Sequence, residues 1–206
     1  MYVPATKYTY LISADLEPVG SIRAPDQITI QTLDASTNRV KDSHNIEYIP
    51  VTEVNPATGP ILIENAAAGD ILAVKILDIW VNDGPHIKLW PGLCVCHSSV
   101  KSPLTKVCTI RNRTIEYSPS VRLPVCPMIG VIGTAPVGRS FPTVTGGTTA
   151  GTWTTRFSPP APPSICRSFA KEVFSSWAIS MPAWETASCA GWPWRRAAKS
   201  TCGSMC

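Results

Sequence analysis

The stretch Ile61-Leu62-Ile63-Glu64-Asn65-Ala66-Ala67-Ala68-Gly69-Asp70-Ile71-Leu72-Ala73-Val74-Lys75-Ile76-Leu77-Asp78-Ile79-Trp80-Val81 decides how this chain folds. Ile61–Ile63 is a short apolar run rich in β-branched residues. Ala67-Ala68-Gly69-Asp70 makes a tight turn, and Ile71–Val81 is a second apolar run broken by Lys75 and Asp78. Short apolar runs bounded by turn residues predict strands rather than helices. The same grammar continues outward. Tyr8–Leu11 starts a short strand, and Ser21–Ala24 and Gln27–Leu33 flank a turn at Pro25-Asp26. Val107–Ile110 and Thr114–Tyr117 predict a hairpin around Arg111-Asn112-Arg113. Strands recur roughly every 8 to 12 residues between Pro and Gly, with no helical period, which predicts a mainly β, sandwich-like or barrel-like core.

That grammar stops near residue 146. Residues 1–146 carry 12 Lys/Arg and 12 Asp/Glu and are neutral, whereas residues 147–206 carry 6 basic and 2 acidic residues and supply the whole net charge of +4. The same tail holds five of the seven tryptophans and four of the eight cysteines. Phe157-Ser158-Pro159-Pro160-Ala161-Pro162-Pro163 opposes regular structure, because each proline fixes φ and removes a donor. Beyond it no period of 2 or 3.6 persists, so an irregular C-terminal tail is expected.

Met1–Ile12 lacks the basic, then apolar, then small-residue order of a secretory signal, so a cytoplasmic chain is expected. Cys94, Cys96, Cys108 and Cys126 are then expected to be reduced. Cys94-Val95-Cys96-His97 has a gap too tight for the usual zinc spacing and reads as two strand cysteines facing one side. No apolar run reaches the ~18 residues of a membrane helix, so no membrane partner is expected.

Three segments in order resemble the acetamidase/formamidase family. Asn55-Pro56-Ala57-Thr58-Gly59-Pro60-Ile61, followed by Gly69-Asp70-Ile71-Leu72-Ala73-Val74-Lys75-Ile76-Leu77-Asp78-Ile79, is similar to the family pattern NPxTGPIxVEGAxPGDxLxVxIxDI. Ile30-Gln31-Thr32-Leu33-Asp34-Ala35, with Asn38-Arg39-Val40 after it, resembles the family strand that ends in an acidic residue. Pro127-Met128-Ile129-Gly130-Val131-Ile132-Gly133-Thr134-Ala135-Pro136 is similar to PxxGVIGVAP. The resemblance covers residues 1–146 and corresponds to the front half of the family fold.

The next family motifs, HGGNMD and GDLHxxMGDGE, are absent in plain reading. Both return when the tail is read one base earlier. Gly151-Thr152-Trp153-Thr154-Thr155 spelled GGA ACA TGG ACA ACA then gives Asn, Met, Asp and Asn. Ser175–Ser188 gives FFLGDLHACMGDGE; Trp has a single codon, so Trp177 before Ala178 and Trp184 before Glu185 both force Gly. A frame slip near Thr145–Thr149 is the reading, with 147–206 a non-native tail whose cysteines carry no redox meaning.

The resemblance implies hydrolysis of short linear amides, formamide or acetamide, to ammonia and a carboxylate. Such a site must activate water and polarise a carbonyl, which a divalent metal or a carboxylate base with fixed donors can do. In intact family members the clustered Asp, His and Glu of GDLHxxMGDGE suit that role, with a divalent metal as possible cofactor. Here those positions hold residues such as Ile179, Met181 and Thr186, so the catalytic cluster is expected to be missing and no metal is expected to bind well.

Asp34, Asn55 and Thr58 remain as candidate substrate-binding residues, each with a plainer reading as a turn residue. Gly59 and Gly133 read as backbone geometry, and Asp70 and Asp78 as structural. His44, His86 and His97 read as surface histidines. A non-enzymatic small-ligand-binding or assembly module is the alternative. A nucleic-acid reading of Trp192, Trp194 and Arg195-Arg196 is weak, so no nucleic-acid partner is expected. The family is commonly oligomeric, though no interface is legible. Losing the back half of the fold is expected to leave apolar faces along Ile71–Val81 uncovered and prone to aggregation.

Overall fold

The computed structural model describes residues 1–44, 48–67, 70–74, 76–81, 84–91, 99–136, 138–145, 150–156, 164–167 and 173–180. The described residues are mainly strands, with no α-helix and one 3-10 turn at Val51–Glu53. None of their helices is long and apolar enough to cross a membrane. In chain order the strands begin with β1 (Tyr2–Val3), β2 (Tyr8–Thr9), β3 (Leu11–Ile12), β4 (Gly20–Ile22), β5 (Thr29–Ile30) and β6 (Ala57–Ile63). They continue with β7 (Ile71–Val74), β8 (His86–Leu89), β9 (Leu104–Val107), β10 (Thr109–Arg111), β11 (Thr114–Glu116) and β12 (Arg122–Pro124). The last five are β13 (Met128–Thr134), β14 (Phe141–Pro142), β15 (Ala150–Arg156), β16 (Ser164–Arg167) and β17 (Val173–Ser180).

The organising element is β6. Six of its seven residues are buried, so it is covered on both faces, as a near-continuous apolar run requires. One edge is shared by two neighbours. β2 pairs antiparallel at Ala57 and Thr58, and β4 pairs parallel at Ile61, Leu62 and Ile63. The break between them falls at Gly59-Pro60. Gly59 has φ 126°, a conformation glycine adopts without a Cβ penalty, its N–H reaches Lys7 O, and Pro60 O accepts from Val19 N. The other edge of β6 pairs with β17, and β17 with β13, giving a six-stranded sheet in the order β15-β13-β17-β6-β2 with β4 beside β6.

Two apolar clusters hold this sheet. Ile61 and Ile63 of β6 meet Val3, with Ile22, Ile28, Ile30 and Leu72 against them. Ala57 meets Ile12 and Val131. Each fully buried Ile contributes about 1.5–3 kcal/mol by leaving water. The expected hairpin is present: β10 and β11 pair with Asn112 and Arg113 at φ 50° and 59°, the left-handed pair of a type I′ turn.

Three expectations change. The run Ile71–Val81 is a strand only over Ile71–Val74, and Leu77 and Trp80 beyond it are exposed. Trp80 is 79% exposed, so part of that apolar face is uncovered, while the backbone of β7 pairs with β16. Tyr8–Leu11 is split, because Tyr10 separates β2, which joins β6, from β3, which joins β14. The tail, read as irregular, supplies β15, β16 and β17 among its described residues. These strands follow from the unpaired edges of β6, β7 and β13 rather than from side-chain period, since backbone N–H and C=O groups pair whatever residues carry them. Phe157–Pro163 and the Trp192–Arg196 cluster lie outside the described residues, as do Cys94, Cys96 and His97. Cys108 and Cys126 are free thiols.

Candidate functional site

The site grows from the turn that follows β5. Asp34 caps it: one carboxylate oxygen, Oδ1, accepts from the backbone N–H of Ser36 and of Asn38, each at 2.8 Å. Asn38 Oδ1 answers by accepting from Asp34 N at 2.9 Å. Thr37 and Asn38 stand at φ 58° and 53°, two consecutive non-glycine residues in the left-handed region, which the reciprocal side-chain bonds hold in place. The plainer reading of Asp34 as a turn cap is therefore correct for Oδ1.

The second oxygen is turned elsewhere. Asp34 Oδ2 lies 3.8 Å from His86 Nδ1, and on the other side of the ring Ser36 Oγ lies 2.9 Å from His86 Nε2. His86 is 1% exposed, on β8. The expectation of a surface histidine is overturned. Burial lowers its pKa from the ordinary value, the Asp34 carboxylate opposes that, and Lys88 adds to it. Burial thus favours the neutral ring.

Asn55 and Thr58 are attached to the same segment. Asn55, at φ 56°, donates its backbone N–H to Ala35 O at 2.9 Å. Thr58, on β6 and fully buried, donates its hydroxyl to Gln31 O at 2.9 Å. Thr37 ties the turn to the 3-10 element through Glu53 O, Tyr10 hydroxyl bonds Thr37, and Arg39 pairs with Glu53. Asp34, Asn55 and Thr58 all anchor on residues 31–38. Asp70 sits apart at the cavity of about 240 Å³ beside Ala24, Asn65 and Leu72, where its carboxylate accepts from Ala67 N.

Sequence reading missed His86 and Ser36. In His86-Ile87-Lys88-Leu89 the alternation puts His86 on the face of Lys88, which reads as solvent. The strand is instead covered over His86, and only the clean alternation beside Pro85 hinted at β structure there.

A catalytic zinc does not fit the described residues. A catalytic zinc takes three protein ligands, Asp34 and His86 offer two, and no group of three His, Cys, Asp or Glu gathers among the described residues.

A model of the Acetamidase/Formamidase family matches residues 12–145 of the 206. The chain belongs to that family. Solved structures agree. An acetamidase from Bacillus halodurans is 29% identical with a TM-score of 0.77, covering 87% of this chain and 61% of that one. A predicted acetamidase/formamidase from the thermophile Thermoanaerobacter tengcongensis is 25% identical, TM-score 0.72, over 88% of this chain and 69% of that one. A gamma lactamase from Delftia acidovorans, 12% identical at a TM-score of 0.64, shares the fold. No curated protein sequence matches. The chain spans about three-fifths of the Bacillus enzyme's length. The family match ends at Thr145, whereas 87% structural coverage extends into the tail strands.

Proposed function

We propose that this chain derives from an amide hydrolase that converts short linear amides, formamide or acetamide, to ammonia and the carboxylate, and that it carries only the substrate-binding half of that site. The observation that carries this reading is the meeting of two family segments. The turn at Asp34 and the entry to β6 are joined by Asn55 N to Ala35 O and by Thr58 Oγ1 to Gln31 O. Asp34, Asn55 and Thr58 are thereby brought to one segment, Asn55 by its backbone N–H, and their carboxylate, amide and hydroxyl are a set suited to an amide's N–H and C=O groups.

Hydrolysis needs more than this. A water must be deprotonated and the carbonyl oxygen stabilised, and the family's two Asp, His and Glu positions fall at Ile179, Thr186, Met181 and Ser188, none of which is a general base or a metal ligand. A frame slip near Thr145–Thr149 accounts for that loss, and the end of the family match at Thr145 supports it.

Ammonia release measured with formamide and acetamide tests the reading. The 206-residue chain is expected to give none above background yet to bind acetamide saturably in calorimetry. The gene read one base earlier from codon 147 and onward past codon 206 in that frame is expected to regain ammonia release. Release from the original chain, or none from the re-encoded and folded one, refutes it. Acetamide binding without release from either chain would favour a non-enzymatic ligand-binding module.

A further inference from the structure

We propose that Ser36 and His86 are positioning residues that aim the second carboxylate oxygen of Asp34 at substrate by holding His86 in its Nδ1–H tautomer. The inference rests on the reading of Asp34 as an amide-binding carboxylate. It starts from the division of labour within Asp34. Oδ1 is committed to two backbone N–H groups of its own turn, so Oδ2 is the oxygen left to meet a substrate N–H. A carboxylate with one oxygen fixed still tilts about its last torsion, which is broad. Whatever faces Oδ2 sets that tilt.

His86 Nδ1 faces it at 3.8 Å, longer than a hydrogen bond but close enough for a directed charge–dipole attraction where water is largely excluded. The sign depends on the tautomer. With the proton on Nδ1, the N–H dipole points at a negative oxygen. With it on Nε2, a nitrogen lone pair opposes that oxygen, which is repulsive. The bond at the far side of the ring must suit the same choice. Ser36 Oγ, at 2.9 Å, can donate its proton to Nε2, leaving Nδ1 to carry the ring proton.

The chain is coherent: Ser36 O–H to Nε2, and Nδ1–H toward Oδ2. Ser36 is itself placed by Asp34, since its backbone N–H is bound to Oδ1. Turn, ring and carboxylate therefore close a loop across 50 residues of sequence, from Ser36 to His86. Lys88, on the same strand, works with burial to keep the ring uncharged.

Long-range nitrogen–proton NMR on the full chain at pH 7.5 reads the tautomer, with His86→Gln assigning the His86 signal among the three histidines. The Nδ1–H pattern is expected. Asp34→Asn keeps the Oδ1 acceptor that caps the turn, so the fold is retained. It should shift the ring toward the Nε2–H form that free imidazole prefers in water. Ser36→Ala should do the same, and Ser36→Thr, which restores the hydroxyl, should return the Nδ1–H pattern. An Nε2–H ring in the unaltered chain, or a tautomer indifferent to Asp34→Asn, overturns the proposal. Acetamide titration of the same variants separates the two readings. If Asp34→Asn moves the tautomer but leaves acetamide affinity unchanged, the positioning contact stands and the amide-binding role of Asp34 fails. If affinity falls while the tautomer stays fixed, the positioning role fails instead.

Discussion

Thr58→Val isolates one hydroxyl at the junction of the site and the core. Thr58 is 1% exposed on β6, and Val preserves its branched shape, so packing is little changed. The hydrogen bond from Oγ1 to Gln31 O, 2.9 Å long, is lost. A neutral bond of this kind contributes about 0.5–1.5 kcal/mol net. Gln31 lies toward the surface, so its carbonyl can find water, which keeps the cost near about 1 kcal/mol. Urea unfolding should show the midpoint falling with the slope unchanged. The consequence for binding is sharper. Because the Thr58 proton is given to Gln31, Oγ1 is left as an acceptor, which on the proposed reading meets the substrate's amide N–H. Thr58→Val should weaken acetamide binding up to about tenfold, the equivalent of about 1.4 kcal/mol, whereas Thr58→Ser should not. N,N-dimethylacetamide, which has no N–H, should bind the original chain and Thr58→Val alike. Undiminished acetamide affinity in Thr58→Val would refute the assignment.

The buried neutral His86 makes stability depend on pH. Its folded pKa lies below the ordinary value near 6.5, so the unfolded chain binds more protons below that point. Stability is full above about pH 6.5 and is lost as pH falls toward the folded value, by at most about 1.4 kcal/mol per pH unit. Urea midpoints at pH 7.5 and 5.5 should differ more for the unaltered chain than for His86→Gln, and equal differences would count against the burial argument. At the β10–β11 turn, Arg113→Gly should raise stability by about 0.5–1 kcal/mol, because φ 59° is strained for arginine and free for glycine. A lower melting temperature in that variant would contradict the type I′ assignment.

The strand pattern was legible wherever local chemistry decides structure. Asn112-Arg113 between two apolar runs announces a hairpin, and Ile61-Leu62-Ile63 announces a short strand. Boundaries were less legible: Ile71–Val81 reads as one strand, but only Ile71–Val74 finds a partner, and pairing rather than composition ends it. The site divides in the same way. Asp34 as a turn cap follows from its neighbours in sequence. His86 could not be read, because its burial depends on a loop 50 residues earlier folding over it. No period in residues 84–91 carries that information.

The placement of β17 bears on the order in which the sheet assembles. One side of β6 is satisfied by β2 and β4, which precede it and leave the ribosome first. The other side waits for Val173–Ser180, 110 residues after Ile63. At about 5–20 residues per second of synthesis, that edge stands open for roughly 5–20 s, time enough for two nascent chains to meet and pair through it.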